Sequence, residues 1–149
     1  MTRGLVVATS AFLLVGITVA ASATPGTGVS DTILAKGTSP EGIVVSGRGN
    51  TDVTVRQITI APGGSTGWHY HEGELIAVVK SGTLTRTLHD CSTERTLPGG
   101  SFVEPAGRNH IHIGRNLGTE PVVLLVTSVL PSGQQLSHDA PPAAVRPMI

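Results

Sequence analysis

Apolar residues in this chain fall into short runs separated by turn-forming clusters. Ile43–Val45, Thr51–Ile60, Thr66–His71, Glu74–Lys80, Thr83–Leu88, Ser101–Glu104, His110–Arg115 and Val122–Leu130 are rich in β-branched and aromatic residues. Ser39-Pro40, Ser46–Asn50, Ala61–Ser65, Ser81-Gly82, Leu97–Gly100 and Asn116–Pro121 punctuate them. Short strands at about 8–12-residue spacing predict a sandwich or small barrel. In Val53–Ile58 the alternation of period two is present but imperfect, and no longer stretch carries a clean 3.6-residue period. The pattern predicts an all-β domain.

The two ends read differently. Arg3 precedes an uncharged apolar run from Leu5 to Ala20, and Ala21-Ser22-Ala23 supplies the small-x-small pattern of a signal-peptidase site. Residues 1–23 are therefore expected to be a cleaved signal peptide, giving an exported protein, secreted or in the cell envelope, with no stable membrane insertion after cleavage. Residues 24–40 read as a linker or edge segment and 41–130 as the β domain. Residues 131–149, with four Pro, read as a tail draped on the surface or disordered. An edge strand near the start of the domain could pair with a second copy in a homodimer.

Composition narrows the functional classes. Of 149 residues, 13% are charged, and ten Lys+Arg balance ten Asp+Glu. Removing residues 1–23 costs only Arg3, leaving a net charge of −1. That balance gives no basic footprint, so no nucleic-acid partner is expected. The single Cys91 has no partner in the chain, which excludes an internal disulfide, and Asp90 beside it does nothing to stabilise a thiolate. Cys91 therefore reads as buried or inert.

The chemistry concentrates in histidine. Four of the six lie in two His-x-His pairs, His69-Tyr70-His71 and His110-Ile111-His112, each following a Gly/Pro-rich turn. On a strand, residues i and i+2 share a face, so each pair projects two parallel imidazoles suited to chelation. Together they offer enough nitrogen for Zn, Mn, Fe, Ni or Cu. No phosphate-binding loop, dinucleotide fingerprint or nucleophile elbow is present.

The surroundings of the pairs resemble the cupin superfamily. Gly63, five residues and His69-x-His71 match the start of its first motif; Gly99, Pro105-x-Gly107 and His110 match most of its second. The resemblance covers about residues 53–130. It implies a double-stranded β-helix (jelly roll) barrel with one divalent metal in its mouth. Two departures stand out. The family's metal-binding Glu lies seven residues before the strand-ending Gly, and counting back from Gly82 lands on Leu75. Glu74 is one residue off and needs a bulge to reach the same face; Glu72 alternates away. In the second motif Pro105-x-Gly107 counts forward to His110, whereas Asn116 counts back to His112, so either histidine could be the ligand. The expected metal set is thus His69, His71 and His112, with His110 and Glu74 as further candidates. Glu104 and Arg108 flank the second motif, and Arg86 and Arg115 could bind an anionic substrate, but all four read more simply as surface residues on strands or turns.

Three functions remain open at this point: a metal-binding module with a small-molecule ligand, a metal-dependent enzyme of dioxygenase or isomerase type, and a metal-free binding module of the envelope. A fold shared by many chemistries does not choose among them.

Overall fold

The structure, a computed structural model, describes residues 28–141. The expected signal peptide lies outside them. Nine strands follow in chain order: β1 Thr51–Ile60, β2 His69–Tyr70, β3 Glu74–Ser81, β4 Leu84–Thr87, β5 Thr93–Thr96, β6 Ser101–Glu104, β7 Ile113–Arg115, β8 Val122–Pro131 and β9 His138–Asp139. A single 3₁₀ turn spans Arg108–His110, and there is no α-helix among the described residues. None of their helical segments is long and apolar enough to cross a membrane.

The strands form a four-stranded sheet in the order β1-β8-β3-β6, a three-stranded sheet β5-β4-β7 and a two-stranded ribbon β2-β9. All named pairings are antiparallel. β8 lies between β1 and β3, and its residues alternate between buried and half-buried from Val122 to Leu130. That alternation is hidden in the sequence, where Val122–Val126 is continuously apolar, as befits a strand with neighbours on both edges.

The core joins Ile60 of β1, Leu75, Ala77 and Val79 of β3, Phe102 of β6 and Val122, Leu124, Val126 and Leu130 of β8 to Leu84 of the facing sheet. Val79 and Val122 are wholly buried, and each such side chain contributes roughly 1.5–3 kcal/mol by leaving water. On β3 the pattern is strict: Leu75, Ala77 and Val79 point inward, so Glu74 points outward.

Three local expectations change. Ile43–Val45 forms no strand. Thr93–Thr96 is a strand although every residue in it is polar; as the outer member of its sheet, β5 has no apolar partner to meet on its solvent side. Cys91 is exposed, and it takes a positive φ of 66° in the turn where its N–H donates to Leu88 O.

Segments outside 41–130 also take part in the domain. Thr38 bridges Gly100 through two backbone hydrogen bonds, Thr38 N to Gly99 O and Ser101 N to Thr38 O. At the other end Leu136 packs on the core, β9 pairs with β2, and Ala140 N donates to Trp68 O at 2.8 Å.

Asn116 ties the end of β1 to the turn before β8. Its buried amide donates to Ile60 O (2.9 Å) and Glu120 O (2.8 Å), and its Oδ1 accepts from Gly118 N (3.0 Å). Asn116→Ala leaves these groups without their partner and should cost about 2–4 kcal/mol. Urea unfolding checks this: the midpoint should fall with an unchanged slope.

Candidate metal centre

Three strand segments bring one group of donors together. His69 and His71 sit at i and i+2 along β2 and its extension, and share a face. His112 stands opposite His69 in an isolated antiparallel bridge, His69 N to His112 O at 3.0 Å and His112 N to His69 O at 2.9 Å. The fourth member is Glu104, at the end of β6. The donor atoms of His69, His71, Glu104 and His112 all lie within 4.8 Å of one another.

The origin of Glu104 lies in sheet register. Leu75 of β3 is the direct cross-strand partner of Glu104 on β6. Directly opposed residues in an antiparallel pair project to the same face. The carboxylate missing at position 75 therefore arrives from the neighbouring strand, on the same side of the sheet. Glu74 does not join the group. β3 runs in continuous register from Glu74 to Val79, its only irregularity falling between Val79 and Ser81, so no bulge turns Glu74 inward. Its carboxylate instead accepts from Ser46 N at 2.9 Å.

His110 also stands apart. It belongs to the 3₁₀ turn, where the i, i+2 rule of a strand does not hold, and its ring meets His89 at 5.3 Å between centroids. Gly107, with φ 107°, precedes that turn and absorbs the change of direction. Of the two second-motif histidines, His112 is the one gathered with the first pair.

The imidazoles are held by their far nitrogens. His69 Nδ1 donates to Gly67 O (2.9 Å), His71 Nδ1 to Leu136 O (2.7 Å) and His112 Nδ1 to His110 O (2.8 Å). A proton committed to Nδ1 leaves Nε2 of a neutral ring as a bare lone pair. His71 Nε2 and His112 Nε2 are buried and stand 3.2 and 3.3 Å from Glu104 Oε2. Lone pairs facing a carboxylate repel. Either protons or a cation must settle the cluster.

Titration behaviour reflects that crowding. Burial pushes Glu104 up, but hydrogen bonds and positive charge from His112 and His71 outweigh it and hold the carboxyl well below its ordinary value. Burial pushes His112 down, but Glu104 outweighs it through a hydrogen bond and its charge, so His112 is raised overall. His69 is lowered, first by burial and then by the neighbouring His112 and His71.

Two spaces flank the group. A cavity of ≈40 Å³ inside the barrel is lined by His69, His71, Leu75 and Glu104 among others. A groove of ≈840 Å³ on the other side reaches Glu104 and His112. Arg86, expected on the surface, is buried in its floor at 5% exposure, with its guanidinium 3.5 Å from the Phe102 ring centroid.

An antiparallel β barrel with three histidines and a carboxylate gathered in its interior defines the class, a double-stranded β-helix with a candidate metal centre. Residues 56–128 match the cupin domain family Cupin_2, and the β domain they span is a cupin domain. Among solved structures, the DMSP lyase DddQ from Ruegeria pomeroyi DSS-3 is 19% identical over 59% of this chain and 43% of its own, with a TM-score of 0.52. A structure of the DMSP lyases RdDddP and RnDddQII matches at 27% identity over 60% of this chain and 44% of that one, TM-score 0.51. A cupin superfamily protein from Desulfitobacterium hafniense matches at 16% identity over 58% and 74%, TM-score 0.48. The chain thus spans less than half the length of either lyase structure. No curated protein matches the chain.

The signs of the two shifts set a pH window for the metal-free protein. The depressed Glu104 contributes stability above the ordinary carboxyl range that is lost as pH falls through its folded value. The raised His112 contributes stability below its ordinary 6.5 that is lost as pH rises through its folded value. In Glu104→Gln both contributions vanish, and burial, aided by the Arg86 charge, should then outweigh the His110 carbonyl and move His112 below 6.5; NMR titration of the chelator-treated variant reads this directly.

Proposed function

We propose that this protein is an exported, single-domain cupin that binds a divalent metal ion through His69, His71, His112 and Glu104, beside a groove that receives a small-molecule ligand. The observation carrying the metal reading is the common tautomer: each of three clustered imidazoles gives its Nδ1 proton to a backbone carbonyl, which frees Nε2 for the centre. Such outer bonds orient metal-ligating histidines and raise their basicity. The buried Nε2 atoms of His71 and His112, both facing Glu104, fit a cation placed between them and that carboxylate. Three nitrogens and one oxygen suit Zn, Mn, Fe, Ni or Cu. The Leu5–Ala23 pattern supports export.

Catalysis is the second reading. The groove reaches Glu104 and His112, so a ligand lying in it meets the donor set from one side. Four protein donors leave positions free on a five- or six-coordinate ion, which when bound would act as a Lewis acid on a ligand oxygen. The likeness to a structure of DMSP lyases adds a lyase to the dioxygenase and isomerase types expected from the motif.

Elemental analysis of the purified protein tests the metal reading. About one ion per chain is expected in the wild type, with loss in His71→Ala, His112→Ala and Glu104→Gln and retention in Glu74→Gln and His110→Ala. Retention in the first three overturns the assignment. Because the ligating imidazoles must be neutral, occupancy should fall as pH drops through about 6.

A further inference from the structure

We infer that the groove is a carboxylate subsite in which Arg86 receives the acid group of a small organic ligand and Glu94 occupies that place in the ligand's absence. This deepens the proposed metal-dependent ligand binding and rests on it for the ligand's neighbour, the donor cluster, but not for the Arg86 contact itself.

The argument begins with the cost of burying a guanidinium. Arg86 lies on β4 with its charge removed from water, and such a charge persists only when neutralised and hydrogen-bonded. Two carboxylates approach it, and they differ in kind. Glu104 Oε1 is 4.0 Å from Nη1, but the other oxygen of Glu104 faces His71 and His112. A cation among those rings draws on the Glu104 charge and leaves Arg86 with less compensation. Glu94 contacts Nη2 from β5, the polar outer strand of its sheet, and its side chain is 49% exposed. An exposed carboxylate can return to water at little cost.

The hydrogen-bond geometry is also incomplete. A guanidinium presents parallel N–H bonds that a carboxylate can take two at a time, and the Nε–Nη2 edge is one such pair. Glu94 takes Nη2, whereas Arg86 Nε is buried with no partner among the described residues. A ligand carboxylate seated on that edge satisfies both donors.

The surroundings set the ligand's size and character. Arg86, Glu94, Glu104 and His112 all line the ≈840 Å³ groove, with apolar surface from Leu88, Leu97 and Phe102. That volume is in the range of small-molecule sites. The matching ligand is an organic acid with a short apolar body, its carboxylate on Arg86 and its remainder extending along the groove past the donor cluster.

Butyrate and its uncharged amide, butyramide, test this as probes in NMR titrations of the full protein, both metal-loaded and chelator-treated. Butyrate should bind and butyramide should not. Arg86→Lys, which keeps the charge but loses the fork, should weaken butyrate by about tenfold. Glu94→Gln should tighten it, because the resident competitor is gone, whereas a purely structural Arg86–Glu94 pair predicts no tightening. Equal binding of acid and amide, or unchanged butyrate affinity in both variants, overturns the inference. Metal content measured on the same samples separates the two claims. A wild type without metal that still selects acid over amide through Arg86 ends the metal reading and keeps this one; a metal-loaded wild type blind to the acid does the reverse.

Discussion

Three backbone carbonyls, those of Gly67, Leu136 and His110, decide what the histidine cluster can do. Each accepts a proton from an Nδ1 and so dictates which nitrogen of each ring is left for the interior. A hydroxyl could not do this as reliably, because it has a proton of its own to offer and can reverse the bond, whereas a carbonyl cannot. The rings meet at 4.4–5.3 Å between centroids with their accepting nitrogens converging on Glu104. Without a cation, that arrangement must be balanced by protons, and the opposing shifts of His112 and Glu104 are the result. The electrostatics of the centre thus follow from the backbone that surrounds it.

Much of the architecture was legible because the barrel's strands follow local rules. Glycines and prolines mark the turns, β-branched runs mark β1, β3 and β8, and alternation gives β3 its inward Leu75, Ala77 and Val79. β5 was not legible, since Thr93–Thr96 has no apolar residue and its strand state depends on pairing with β4. The His69/His71 pair could be read from spacing alone because both residues sit on one extended segment. His110 and His112 have the same spacing, but a 3₁₀ turn ends at His110 and removes it from the face that His112 occupies. Spacing carries geometric meaning only once the backbone conformation is known.

Glu104 marks the limit of reading along the chain. It flanks the second motif, directly before Pro105-x-Gly107, but the motif gives that position no role in the metal set. The connection runs across the ladder, through Leu75. What the barrel maintains is a carboxylate at one place on its inner face, and either strand can supply it. The burial of Arg86 was not legible for a related reason: it comes from Phe102 and Glu104, which are distant in sequence and adjacent only through the fold.

The bond from His71 to Leu136 spans 65 residues and has a consequence for folding order. Residues 51–131 contain every other strand of the barrel and can collapse around its apolar core, yet His71 has its ring fixed only after Leu136 docks and β9 pairs with β2. Pairing of β1 with β8 already closes a span of that order, Thr51 to Pro131, so the loop to Leu136 is short once the pair has formed. The centre is therefore complete only when the segment beyond β8 is in place. Leu136 and β9 act as a latch on the histidine cluster, fixing the His71 ring from a segment that lies outside the eight preceding strands.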